Sequence, residues 1–383
     1  MPLAQRLKDA GIKPPAPSRK EPLWKGPEVD GITQSMLGKF LGCRERFRLL
    51  VVEGLKAEGG FNPRMEYGNL WHVCEEALAQ GDPWQPALLA YCQKLCLQYR
   101  TQQEQVDHWY CVCTTQFPLY VNHWNKHPDM KGRTNLFAER VFKLQYKLPS
   151  GRVVFLRGKF DSVDLIRGAS KNDRTGIWLQ ENKSKGSVDT VNLQRQLRFD
   201  LQTMFYSVAL REGQDGDDLQ TDWPDEFNDH PILGVRYNVI RRPLSGGKGS
   251  IVRHKPSKSN PQGETKESFY GRVGGIIQDS QDEYFFRWNV DVTRAEVMTF
   301  RKQFLDPILE QLCEWWDWVK GNPDPFNYAK DPSDRPGMAG IHWRHPFGTY
   351  NVLNEGGCTD VDEYLLTGSE IGLTRSDNLF PEL

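Results

Sequence analysis

One run, Gly176-Ile-Trp-Leu-Gln-Glu-Asn-Lys-Ser184, limits what this chain can fold into, because it begins as core and ends in charge. Side chains alternate faces along a strand, so Ile177, Leu179, Glu181 and Lys183 share one side, with neighbours about 7 Å apart. A solvated face has no use for Ile and Leu at its head. A buried face cannot end in an acid and an amine without partners, since an unpaired buried charge costs several kcal/mol or escapes by shifting its pKa. Both halves are satisfied by a strand that leaves a core at the lip of a cleft, where its carboxylate meets a cation. The expected cation is a metal.

The run Arg152 to Ile166 alternates as well, and Gly168, Ser170, Asn172 and Asp173 in the following loop are turn formers. Two antiparallel strands joined there bring Asp161 beside Glu181. Phe137 to Leu148 is a third alternating run, turned into the Asp161 strand by Pro149-Ser-Gly151. Two hard oxygen ligands, with a lysine two residues beyond the second, suit Mg²⁺ or Mn²⁺ and water attack on a phosphodiester. Asp164 competes with Asp161, and a regular strand puts the two on opposite faces.

These residues carry a resemblance. Gly158-x-x-Asp161, Glu181-Asn-Lys183-Ser184 and Gln202-Thr-Met-Phe-Tyr206, with Gly68-Asn-Leu-Trp-His72 upstream, resemble in order the motifs of the RecB-like branch of the PD-(D/E)XK nuclease superfamily. The resemblance implies an α/β restriction-endonuclease-like core: a mixed central sheet flanked by helices, with an N-terminal helical layer and a loop-rich C-terminal lobe. It selects Asp161 as the motif acid and leaves Asp164 as a solvent-facing or supporting one. It implies Mg²⁺ or Mn²⁺ held by His72, Asp161, Glu181 and the backbone carbonyl of Asn182, with Asp161, Glu181 and Lys183 catalytic. Glu75 or Glu76 would fix the His72 tautomer. Gln202 and Tyr206 would position the DNA, helped by Arg198, Arg241 and Arg242.

The activity so implied is a metal-dependent deoxyribonuclease, an exonuclease of recombination, repair or phage DNA processing in the cytoplasm of a bacterial or phage-infected cell. DNA, as single strands or duplex ends, is the expected partner. A recombination or helicase partner would do any unwinding, since no helicase motif is present. A non-cleaving DNA-binding or assembly module on the same fold is the alternative, and intact Asp161, Glu181 and Lys183 argue against it. A structure-selective endonuclease is another, differing in whether the cleft admits a free end or a continuous duplex.

Iron-sulfur members of that branch take their first thiolate from an entry helix like Thr33 to Phe47, where Cys43 stands. Such a cluster needs four thiolates. Cys313 and Cys358 are the only cysteines near the C-terminus, so no cluster is expected. The eight cysteines form no regular framework and read as reduced, core-packing thiols. Gly246-Gly-Lys-Gly249 lacks the spacing of a phosphate loop, so no ATP is expected.

With 49 basic against 50 acidic residues, any grip on nucleic acid must come from local patches. No apolar run approaches a membrane span, and the first residues lack a signal core. The proline-rich residues 1–30 read as a flexible arm, 31–320 as the nuclease domain and 321–383 as a lobe packed on it. Within the domain, 212–280 reads as an insertion of acidic and then basic loops. Residues 86–124 read as continuous helix, as does the stretch that follows a polar turn ending in Asp189-Thr190 and runs to about Arg211. Trp315, Trp316 and Trp318, interleaved with Leu309, Leu312 and Val319, read as core.

Overall fold

In a computed structural model, residues 21–42, 44–57, 60–127, 131–168, 173–215, 223–244, 250–258, 261–321, 370–381 and 383 are described. The chain runs β1 (Ile32–Thr33), α1 (Gln34–Gly42), α2 (Pro63–Gln80), α3 (Trp84–Gln98), α4 (Gln103–Asn125), β2 (Arg133–Lys147), β3 (Val153–Ile166) and β4 (Gly176–Lys185). It continues α5 (Thr190–Arg198), α6 (Leu201–Asp215), β5 (Ile232–Arg241), α7 (Lys266–Asp279), β6 (Phe285–Asp291), α8 (Arg294–Phe300) and α9 (Asp306–Gly321). The strands form one mixed sheet in the order β1-β3-β4-β5-β6, with β2 on the other edge of β3. β4 runs parallel to β5 and antiparallel to β3.

Helices cover both faces. On one, α1, α6 and α9 pack Phe40, Phe205 and Leu309 against Leu156, Ile177 and Leu179. On the other, α2, α3, α4 and α7 form a second core around Trp71, Leu88, Phe117 and Phe269. α2 is well specified locally. Asn62 accepts from the N–H groups of Arg64 and Met65, Pro63 opens the first turn, and Gly81 closes the helix at φ +81°. Its buried Tyr67, Leu70, Trp71 and Cys74 recur at three and four, which aims the remaining face, with His72, at the sheet.

Several expectations are revised. Residues 21–30 do not belong to an arm: Trp24 is buried against Phe47 and Trp316, and its Nε1 donates to the Gly31 carbonyl at 2.8 Å. The long helix over 86–124 is two helices, broken between Tyr99 and Gln102. The one expected after that polar turn, to about Arg211, is also two, because the Asp200 carboxylate accepts the Gln202 N–H at 3.1 Å and starts α6 afresh. Residues 212–280 are not an insertion of loops, since they contain β5, paired on both sides within the sheet, and α7. Buried Arg236 and Asn238 hide β5 from a hydrophobicity reading.

Trp315 and Trp316 are core, as expected. Of the C-terminal lobe, residues 322–369 lie outside the described residues. Its end packs on the body: Leu373–Arg375 pairs antiparallel with Leu55–Ala57, and the Arg157 guanidinium lies 4.0 Å from the Phe380 ring centre. Cys43, Cys358 and the 245–249 loop also fall outside the described residues. Cys74, Cys92, Cys96, Cys111, Cys113 and Cys313 are free thiols. No described helix is long and apolar enough to cross a membrane.

Candidate metal centre at a strand fork

The site lies where β3 and β4 part. One edge of β3 pairs with β2 along almost its whole length. The other edge pairs with β1 at Leu156 and Arg157, and with β4 only from Ser162 to Ile166. β4 continues along β5 as far as Lys185, so Glu181–Lys185 are laddered on one side and face an opening on the other. Across that opening the Asn182 N–H donates to Asp161 Oδ2 at 2.8 Å. A strand residue points its N–H and C=O to the same side. The Asn182 carbonyl therefore also faces the fork.

A second departure from regular strand aims the ligands. Glu139 on β2 has φ +49°, the left-handed region, which is uncommon for a side chain that is not glycine. The pairs around it are Ala138 with Ser162 and Arg140 with Phe160, so Glu139 lies across from Asp161. Phe137 and Phe142 both enter the main core although five residues apart, as do Val163 and Phe160 three apart. A regular strand would send each pair to opposite faces. Both strands thus change face at the Glu139–Asp161 position, and the two carboxylates turn toward α2.

There they meet His72, whose Nδ1 is 3.9 Å from Glu139 Oε1 and 3.9 Å from Asp161 Oδ1. Ligand atoms of His72, Glu139 and Asp161 all lie within 4.8 Å of one another. Glu181 lies outside that set. Its carboxylate is fully buried, with Oε2 3.1 Å from Lys183 Nζ and Oε1 without a hydrogen-bond partner. Lys183 Nζ also donates to Gln202 Oε1 at 2.5 Å.

The charges are tightly coupled. Burial pushes the Glu181 carboxyl up to about 7, against the pull of the Lys183 ammonium, and nearby Asp161 raises it further. Burial disfavours the charged forms of His72 and Lys183, but their acidic neighbours win in both. Asp161 and Glu139 lift the His72 imidazole to about 9, and Glu181 with Asp161 raises Lys183. Burial works against ionised Glu139 too, yet His72 and Lys159 Nζ, 2.5 Å away, hold its carboxyl low.

This donor set fits a divalent cation. Two carboxylates converge on an imidazole that takes up a proton for want of another positive charge, and a third acid, buried Glu181, has an orphan oxygen. Carboxylate oxygens suit Mg²⁺ or Mn²⁺, and one imidazole nitrogen is compatible with the softer of the two. His72, Glu139 and Asp161 could hold such an ion, with Glu181 and the Asn182 carbonyl at its margin.

Other expected residues fall in varied places. Tyr206 is buried, its ring edge-on to Phe142 and Phe160. Arg198 is paired with Glu296 at 2.7 Å. Arg241 lies 3.6 Å from Glu283 and against the Tyr284 ring. Arg242 is only 8% exposed and donates to the Ser184 carbonyl and hydroxyl at 3.3 and 3.2 Å. Asp164 does not face solvent: it is fully buried and accepts from Arg133, Asn135 and Ser162. Glu75 accepts from Trp71 Nε1 at 3.3 Å rather than fixing His72.

Glu139 was missed by sequence reasoning. The only signal was an acid inside an alternating strand, Phe137-Ala-Glu-Arg, which looks like an outward-facing residue until the face change is known.

Compared with known families, the chain matches the family model described as the PD-(D/E)XK nuclease superfamily over residues 32–296, which takes in every group of this centre. No curated protein matches it.

Proposed function

Because the chain belongs to the PD-(D/E)XK nuclease superfamily, we propose that it is a Mg²⁺- or Mn²⁺-dependent deoxyribonuclease of the RecB-like type that cleaves phosphodiester bonds from DNA ends. The observation that carries this reading is the convergence of His72, Glu139 and Asp161 at the fork, with the Glu181–Lys183 pair on its other wall.

In this reading His72, Asp161, Glu139 and Glu181 hold the ion, which when bound lowers the pKa of water and offsets charge on the phosphate. Lys183 keeps its proton at neutral pH, because Glu181 and Asp161 raise it. It therefore acts as a fixed positive charge toward a phosphate oxygen. Gln202 sets its direction by accepting one of its hydrogens. A preoriented charge costs no reorganisation as the transition state forms, which makes such a group worth roughly 100-fold or more in rate. Arg at 183 would not substitute, since a planar fork replaces a compact ammonium.

The test is incubation of purified protein with linear and circular, single- and double-stranded DNA in Mn²⁺, Mg²⁺ or EDTA. Linear DNA should be degraded only with metal, and circular DNA should be spared. Lys183→Ala and Asp161→Ala should abolish cutting without unfolding the chain. Cleavage that survives both substitutions removes the proposal, and cleavage of closed circles removes its end-directed part.

A further inference from the structure

α5 joins the end of β4 to α6 and so runs beside the fork. Of its side chains only Leu193 and Leu197 are buried. Val191, Arg195 and Phe199 follow one another at a spacing of four, so they share one face along the helix and its C-terminal cap. Val191 is 58% and Phe199 66% exposed, and Arg195 is exposed too. Phe199 is the one exposed Phe, Tyr or Trp side chain among the described residues.

A single exposed apolar side chain is ordinary on a protein surface. This stripe differs in two respects. Arg195, between the two apolar groups, has no ion pair among the described residues, whereas neighbouring Arg198 is taken by Glu296. The stripe also ends at the catalytic machinery. Asp200, next after Phe199, accepts the Gln202 N–H, and Gln202 accepts from Lys183 Nζ. Three Cα steps at about 3.8 Å each keep Phe199 within roughly 11 Å of the Gln202 backbone. The Arg198 guanidinium lies over the Phe199 ring, 5.6 Å from its centre.

We propose that this face of α5 is a track for unpaired nucleotides. Phe199 stacks a base next to the scissile phosphate, Arg195 meets a neighbouring phosphate, and Val191 gives an apolar contact one turn further on. In a duplex the base faces are already covered by their neighbours, so the track favours a single strand or a frayed end. The proposal rests on the nuclease reading and names the form of substrate.

The test is binding of labelled oligo(dT) and of a blunt hairpin duplex, in Ca²⁺, by the wild-type chain and by Phe199→Ala, Phe199→Trp and Arg195→Ala. Phe199→Ala should weaken oligo(dT) binding by about 5- to 100-fold, with Phe199→Trp close to wild type and the duplex changed by less than about twofold. Arg195→Ala should reduce the salt slope on the single strand by about 0.7. The track is refuted if the wild-type chain does not hold oligo(dT), if Phe199→Ala changes its affinity less than about twofold, or if both DNA forms lose equally. A wild-type chain that grips oligo(dT) through Phe199 yet cuts no DNA in Mg²⁺ or Mn²⁺ sinks the nuclease reading and leaves the track. Cutting that Phe199→Ala leaves unaltered on single strands, with binding unaltered as well, does the reverse.

Discussion

His72 Nδ1 stands equally far, 3.9 Å, from Glu139 and from Asp161, so one imidazole proton answers two carboxylates. The imidazole is raised from 6.5 to about 9, and its stabilisation of the metal-free chain is complete below pH 6.5 and lost as pH climbs through 9. An ion that takes Nδ1 must expel that proton. Mn²⁺ affinity should therefore rise roughly tenfold per pH unit between neutrality and that pKa, and His72→Asn should flatten the dependence. Calorimetric titration at several pH values measures it. A wild-type affinity that does not vary with pH would show that His72 is not a ligand.

Glu139 makes its own prediction because it was not among the expected ligands. Glu139→Gln keeps the shape and removes the charge that His72 and Lys159 share. Metal affinity should fall by about 10- to 100-fold, and the melting temperature of the metal-free chain should fall at neutral pH, where the depressed Glu139 carboxyl contributes stability. Unaltered Mn²⁺ binding would reduce Glu139 to a strand residue that orients His72.

Glu181 is held at a cost. Its carboxyl is raised from 4.5 to about 7 by burial, so what it contributes to stability is present below pH 4.5 and lost as pH rises through 7. Glu181→Gln should therefore raise the melting temperature of the metal-free chain at pH 8, because Gln202 still accepts from Lys183, while ending cleavage. A lower melting temperature at pH 8 would contradict this account.

The two motif glycines should respond oppositely to alanine. At Gly158 a Cβ would meet Phe142 Cζ at 2.6 Å and Tyr206 Cε1 at 2.9 Å, inside the ring cluster. Gly158→Ala should cost about 1–3 kcal/mol. At Gly68 the nearest atom would be Ser184 Oγ at 3.7 Å, an ordinary contact, so Gly68→Ala within α2 should gain about 0.5–1 kcal/mol. Urea denaturation distinguishes the two, and equal effects would mean that packing does not govern either position.

Arg242 should behave as a structural residue. Arg242→Ala should lower stability by about 1.5–3 kcal/mol through its lost hydrogen bonds to Ser184, and leave the salt dependence of DNA binding as it was. A slope reduced with stability intact would return Arg242 to the DNA-contacting set.

The strand from Gly176 to Lys185 was legible because alternation is imposed by the backbone itself: every second side chain meets the same environment, and the change from Ile177 and Leu179 to Glu181 and Lys183 marks the exit from the core. His72 and Asp161 were legible only as motif residues, through the resemblance. Trp24, β5 and the α5–α6 break were not, because each depends on a distant or non-repeating partner: Trp316 for the first, neighbouring strands that bury Arg236 for the second, the Asp200 cap for the third.

By itself the sequence determined the strands β2 to β4, the α/β class and the acids and lysine of β3 and β4, since local periodicity follows from covalent geometry and from which side chains avoid water. Only the tertiary structure decided that Glu139 joins His72 and Asp161, that Arg242 is anchored to β4 and that Arg195 remains without an ion pair among the described residues. These outcomes depend on strand register and on one left-handed residue. A one-residue change in either turns a side chain to the opposite face without altering the alternation by which a strand is recognised.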